Sequence, residues 1–116
     1  MSYCVIIPAR FESSRLPGKP LISLNGLPMI VRTFRQCEKA CDRDLIFVAT
    51  DDYRIKEVCE KYEIQVIMTS SSHLTGTDRL AECSKLLNYD IFINVRGDEP
   101  VFNPLDLSKL IGALEE

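Results

Sequence analysis

What most constrains this sequence is an alternation. Four short apolar runs, over residues 3–7, 45–50, 65–68 and 91–95, are separated by segments whose apolar residues recur at helical spacing. Each run is too short for a buried helix and suits a strand covered on both faces. The first stops at Pro8, which cannot donate to a sheet ladder. Between the runs, Asn25-Gly26 signals a turn. Pro28 suits a first helical position, with Ile30, Val31, Phe34, Cys37 and Cys41 following, so a helix is predicted over 28–40. Asp51 or Asp52 can cap a helix carrying Ile55, Val58, Cys59 and Tyr62, and Thr75 or Thr77 can cap one running to Leu87. Asn103-Pro104 opens a last helix with Leu107, Leu110, Ile111 and Leu114 on one face. Alternation of this kind predicts an α/β fold, a parallel sheet with helices on both faces and any ligand at the carboxyl ends of the strands.

Length and charge narrow the function. A chain of 116 residues has material for one core. With a net charge of −3 it offers no diffuse basic surface for nucleic acid, so an anion site must be a local cluster. Its longest apolar runs fall far short of the roughly 20 residues that span a bilayer, and no signal-peptide pattern follows Met1. A cytoplasmic protein with no membrane partner is expected. Five cysteines, Cys4, Cys37, Cys41, Cys59 and Cys83, show neither CxxC nor Cys/His zinc spacing. They read as reduced core thiols.

The loops after the first, third and fourth strands are unusually polar. Residues 8–20, PARFESSRLPGKP, hold Arg10, Arg15 and Lys19 with two hydroxyls and Gly18. Such a cluster at a strand's carboxyl end offers a triphosphate both charge compensation and close backbone approach. It is neither a Walker A loop nor a GxGxxG fingerprint, and scattered charges on a solvated loop are the competing reading. Arg96-Gly97-Asp98-Glu99-Pro100 follows strand four, where Asp98 can hold Mg²⁺ together with phosphate oxygens; a turn with acidic capping residues is the alternative. His73 is the only histidine and cannot build a His-rich metal site, but it can contact a nucleoside. Thr75-Gly76-Thr77-Asp78-Arg79 offers hydroxyls and a guanidinium for base or ribose recognition, or else an ordinary helix cap.

Taken together, IIPARFESSRLPGKPL, NGLPMIVRT, VATDD, HLTGTDRLAE and INVRGDEP resemble, in order and spacing, the CMP-Kdo synthetases, or 3-deoxy-manno-octulosonate (Kdo) cytidylyltransferases. The resemblance spans nearly the whole chain. It implies a Rossmann-like nucleotidyltransferase fold and the Mg²⁺-dependent reaction of CTP with Kdo to CMP-Kdo and pyrophosphate in lipopolysaccharide synthesis. It implies that Ala9, Arg10, Arg15 and Lys19 lie at the nucleotide, with Arg15 and Lys19 on the triphosphate. It also implies Asp98 as metal ligand, and His73, Thr77 and Arg79 on the nucleoside side. Family members usually carry Gln where this chain has Arg96, a departure that bears on nucleobase recognition or sugar preference there. They are about twice as long, and their second half supplies another metal-binding aspartate, much of the sugar pocket and the interface of a homodimer. The expectation is therefore the CTP-binding N-terminal part of such an enzyme. Transfer to 8-amino-Kdo or a sialic acid, or a non-catalytic nucleotide-binding fragment, are the alternatives.

Overall fold

The computed structural model describes residues 2–11, 18–69, 76–96 and 104–115, with all their side chains except those of Leu24, Thr77, Asp78, Leu80, Ala81, Leu114 and Glu115. Strand β1 (Tyr3–Pro8) is the centre of the molecule: Cys4, Val5, Ile6 and Ile7 are all completely buried. A tight hairpin follows, β2 (Ser23–Leu24) against β3 (Leu27–Pro28). Its turn residues Asn25 and Gly26 have φ of 52° and 88°, the left-handed pair that two-residue hairpins favour. Helix α1 (Met29–Glu38) then presents Ile30, Val31, Phe34 and Cys37 to the core. The buried Thr33 hydroxyl is satisfied by donating to the Met29 carbonyl one turn earlier.

The alternation continues with β4 (Ile46–Thr50), α2 (Tyr53–Lys61), β5 (Gln65–Met68), α3 (Gly76–Leu86), β6 (Ile91–Asn94) and α4 (Pro104–Glu115). The main sheet is fully parallel in the order β5-β4-β1-β6. Alternate residues of β1 face opposite sides. Val5 and Ile7 join Ile30, Phe34, Ile55, Cys59, Leu107 and Ile111, so α1, α2 and α4 cover one face. Cys4 and Ile6 join Ala49 and Cys83 of α3 on the other, flanked by Phe47, Tyr89 and Phe92. Tyr89 makes edge contacts to both rings, at 6.3 Å between centroids. Each fully buried Ile of this core contributes roughly 2–3 kcal/mol by removal from water.

Two clasps fix the amino-terminal end of the sheet. The Ser2 backbone amide and hydroxyl donate to Asp90 Oδ2, and the Asp90 amide donates to Ser2 Oγ, tying β1 to β6. Arg43 donates to the Tyr62 and Glu63 carbonyls, and Gln65 Nε2 to those of Asp44 and Ile46. These bonds lie at the end of the sheet remote from the polar loops.

Several element boundaries differ from those expected of the sequence. Pro28 is the cap of α1 rather than its first residue, because with ψ of 147° it is still extended and ends the hairpin, a small antiparallel element beyond the turn signal itself. Leu45 lies in a 3-10 turn, so β4 starts at Ile46. In α4, Leu107 and Ile111 are buried whereas Leu110 is 47% exposed. At 100° per residue Leu107 and Ile111 lie close together around the axis and Leu110 falls on the flank. The cysteine reading holds: all five are free thiols, four buried and Cys41 half-buried. Among the described residues no helix is long and apolar enough to cross a membrane.

Candidate functional site

From central β1 the chain moves outward to β4 and then to β5 on one side, while β6 lies on the other side of β1. The chain therefore reverses direction between β1 and β6, and such a reversal leaves a crevice beyond their carboxyl ends. The ladder extends past the strands there. Ala9 N–H donates to the Ala49 carbonyl at 2.9 Å, Thr69 N–H to Thr50 at 2.8 Å and Val95 N–H to Ile6 at 2.9 Å. Three loops thus start from fixed, neighbouring positions: Arg10 after buried Ala9, residue 70 after Thr69, and exposed Arg96 after Val95.

The first loop is tied at its base. Gly18 N–H donates to the Phe11 carbonyl at 2.6 Å, bringing the two ends of the segment together. Gly18 has φ of 75°, and a Cβ on it would come within 3.1 Å of the Phe11 ring. Only glycine meets both demands without strain. Lys19 follows in a 3-10 turn (Lys19–Leu21) held by Leu21 N–H to the Gly18 carbonyl and Ile22 N–H to that of Lys19. Over the Phe11 ring lies the guanidinium of Arg54, 3.2 Å from the centroid. Arg54 is itself held by Asp52, the cap of α2, through Nε and Nη2 bonds of 3.0 and 2.7 Å. That pairing, foremost its side-chain hydrogen bonds, keeps the Asp52 carboxyl below its ordinary value.

Arg79 of α3 is completely buried. Its Nη1 donates to the Thr69 hydroxyl and its Nη2 stands 3.8 Å from Asp51 Oδ2, at the end of β4. Its Nε and Nη2 have no hydrogen-bond acceptor among the described residues. Burial pushes this guanidinium down from its ordinary value; Asp51 opposes that shift and Arg10 reinforces it. An arginine stays protonated at neutral pH even so. A buried cation with donors to spare is costly unless something accepts from it, and this one is close enough to Arg10 to feel its charge.

The expected site residues divide as follows. Ala9, Arg10 and Arg96 lie at the carboxyl ends of β1 and β6, Lys19 lies just past the closed loop base, and Arg79 is coupled electrostatically to Arg10. Arg15, His73 and Asp98 lie outside the described residues, as does the side chain of Thr77. Asp51, Thr69, Phe11 and Arg54 are members of this edge that motif reading passed over. VATDD carried a signal for Asp51, since two acids directly after a buried strand exceed the one a helix cap needs. No group of three metal-ligating side chains occurs among the described residues. Of their carboxylates, Asp51 faces Arg79 and Asp52 is engaged by Arg54.

The sequence pattern of the cytidylyltransferase family matches residues 4–116. The chain belongs to that family. It is 45% identical over 113 residues to a 3-deoxy-manno-octulosonate cytidylyltransferase of Acinetobacter baumannii, covering 95% of this chain and 44% of the relative. It is 42% identical over 118 residues to an 8-amino-3,8-dideoxy-manno-octulosonate cytidylyltransferase of Shewanella frigidimarina, covering 99% and 48%. The solved structure of a CMP:2-keto-3-deoxy-manno-octonic acid synthetase complexed with CTP superimposes with a TM-score of 0.94 at 38% identity, over 99% of this chain and 48% of that one. This cytidylyltransferase chain spans about half the length of the relatives it matches.

Proposed function

We propose that residues 1–116 are the CTP-binding part of an enzyme that transfers CMP from CTP to the anomeric hydroxyl of Kdo, giving CMP-Kdo and pyrophosphate for lipopolysaccharide synthesis in the cytoplasm. On this reading, further chain supplies the sugar-binding and dimerisation part. The observation that carries the proposal is buried Arg79 within electrostatic reach of Arg10 at the crevice end of the sheet, with Lys19 next to the Gly18–Phe11 bond of the same loop, in a protein of net charge −3. Cations collected against the overall charge, beside a glycine that admits close backbone approach, are suited to a polyphosphate.

The reaction is attack of a sugar hydroxyl on the α-phosphate with pyrophosphate leaving, so positioning and charge neutralisation supply most of the catalysis. Lys19 and Arg15 compensate the charge that accumulates on the leaving β- and γ-phosphates. Arg10 and the Ala9 backbone hold the nucleotide at the end of β1. Arg79 gives its two spare donors to acceptors on the nucleoside side, where His73 and Thr77 join it, and Arg96 bounds the crevice from β6. Asp98 would hold Mg²⁺, which when bound neutralises phosphate charge and lowers the pKa of a hydroxyl attached to it. No covalent nucleophile is required, and the cysteines play no part.

Transfer to the 8-amino sugar stands nearly level, because identity to the relative of that name is 42% against 45%. The test is pyrophosphate release from CTP with Kdo, 8-amino-Kdo and a sialic acid in turn, on this chain and on a protein of family length. Release with Kdo by the longer protein is expected. Release with a sialic acid alone, or CTP binding without release by either protein, would replace the proposal.

A further inference from the structure

We propose that Arg54 is a positioning residue for the first loop: clamped by Asp52, its guanidinium forms a plate against which Phe11 closes the loop base and so fixes Lys19. The inference rests on the reading of residues 8–20 as the nucleotide loop. An exposed ion pair at a helix start ordinarily contributes little, and the simplest view of Asp52 and Arg54 is that they begin α2. Capping, however, uses only backbone N–H groups, those of Arg54, which donates to Asp52 Oδ1 at 2.8 Å, and of Ile55. Any residue could provide them. The two additional side-chain bonds, Nε to Oδ1 and Nη2 to Oδ2, serve a different end, since a bidentate fork fixes the plane of a guanidinium.

That plane lies over the Phe11 ring, 3.2 Å from its centroid, where cation and ring attract. The ring's Cε2–Cζ edge is the part that abuts Gly18, and the Phe11 carbonyl accepts the Gly18 amide. Gly18 in turn starts the 3-10 turn containing Lys19. A continuous set of contacts therefore runs from the end of β4 and the start of α2, through Asp52, Arg54, Phe11 and Gly18, to Lys19. Its central contact, Phe11 with Arg54, joins residues 43 apart in sequence, which no local preference supplies. In this arrangement Arg54 acts through Phe11.

Two readouts test it on the full chain. The first needs no nucleotide: hydrogen exchange at the Gly18 amide. Arg54→Met and Phe11→Leu should each speed that exchange about tenfold, while the sheet amides of Ile6 and Val48 keep wild-type protection and so report an intact fold. The double variant should be no worse than either single, because the two side chains form one unit. Phe11→Tyr, which keeps the ring, should restore wild-type exchange. The second readout is calorimetric titration with CTP and Mg²⁺, in which Arg54→Met and Phe11→Leu should weaken binding about fivefold, roughly the strength of an exposed cation–ring contact. Unchanged Gly18 exchange, or additive effects in the double variant, overturns the plate. Faster Gly18 exchange with unchanged CTP affinity, while Lys19→Ala weakens it, overturns the link to nucleotide positioning. If Lys19→Ala also leaves affinity unchanged, the nucleotide reading of the loop is what fails, and the exchange data alone decide whether Arg54 holds the loop base.

Discussion

Glycine to alanine at three positions separates a dihedral cost from a contact cost. At Gly26, φ is 88° and a Cβ would meet nothing within 4 Å. The substitution there carries only the left-handed penalty of an L residue, about 1 kcal/mol. At Gly18, φ is 75° and the new Cβ would lie 3.1 Å from Phe11 Cε2 and 3.3 Å from Cζ. A free ring would swing away cheaply. This one is covered by Arg54 at 3.2 Å, so the displacement must spread into the Asp52–Arg54 pair, and roughly 1 kcal/mol is added to the dihedral term, about 2 kcal/mol in all. Gly112, inside α4 with open space around its Cβ, is the opposite case: alanine there should stabilise by about 0.5–1 kcal/mol. Urea unfolding of the three variants, with the slope of each transition checked for constancy, gives the comparison. The expected order of stability is Gly112→Ala above wild type, then Gly26→Ala, then Gly18→Ala. Equal losses at Gly18 and Gly26 would show that the Phe11 ring yields freely and that its contact with Gly18 constrains nothing.

Lys19→Ala should weaken CTP binding by about 1.5–3 kcal/mol, the range for a charge-assisted bond to phosphate; unchanged affinity in a folded variant removes Lys19 from the site. Asp98→Asn should nearly abolish Mg²⁺-dependent pyrophosphate release in a protein of family length and leave its circular dichroism unaltered, and a near-normal rate at saturating Mg²⁺ would reassign Asp98 to turn structure. Asp52 has a carboxyl held below its ordinary value by Arg54, so its contribution is complete above the unfolded value near ~4 and is lost as pH falls through the folded one. Asp52→Asn, which still caps α2, should therefore cost about 0.5 kcal/mol at neutral pH and progressively less below pH ~4, read from urea midpoints across that range. Burial pushes the Cys4, Cys37 and Cys59 thiols up to about 12 and those of Cys41 and Cys83 to about 11, which disfavours the thiolate at neutral pH. Iodoacetamide on the native protein should reach half-buried Cys41 first, and early labelling of Cys59 by mass spectrometry would contradict the packing of α2.

The parallel sheet was legible because its strands are buried on both faces, which leaves the unbroken apolar runs of β1 and β4 as a signal no helix of that length would give. Strand order was not legible. The runs are alike in composition, and pairing of β1 with both β4 and β6 depends on crossovers that sequence patterns do not encode. The hairpin of β2 and β3 announced its turn through Asn25-Gly26, yet strands of two residues carry no period to detect. For α4 the apolar residues were legible but not the packing face, because Leu107 and Ile111 reach α1 across the core while Leu110 and Leu105 lie outside that contact.

For the crevice, sequence order delivers the charged residues one at a time and hides what makes them a site. Arg10, Lys19 and Arg79 stand out as cations in loops or at a helix start, but nothing local distinguishes Arg79, which is completely buried, from Arg96, which is exposed. That difference arises because α3 is laid over the sheet face formed by Cys4, Ile6 and Ala49, which carries Arg79 against Thr69 and Asp51 from two different strands. Its consequence is chemical. A guanidinium on the surface can release its partner to water at little cost, whereas Arg79 is desolvated and its Nε and Nη2 find no hydrogen-bond acceptor among the described residues, so any acceptor they meet is held more strongly than it would be in water. Buried Arg79, held by Thr69 and Asp51 at the ends of β5 and β4, is thus made by tertiary packing, whereas the cations easiest to see in the sequence owe nothing to it.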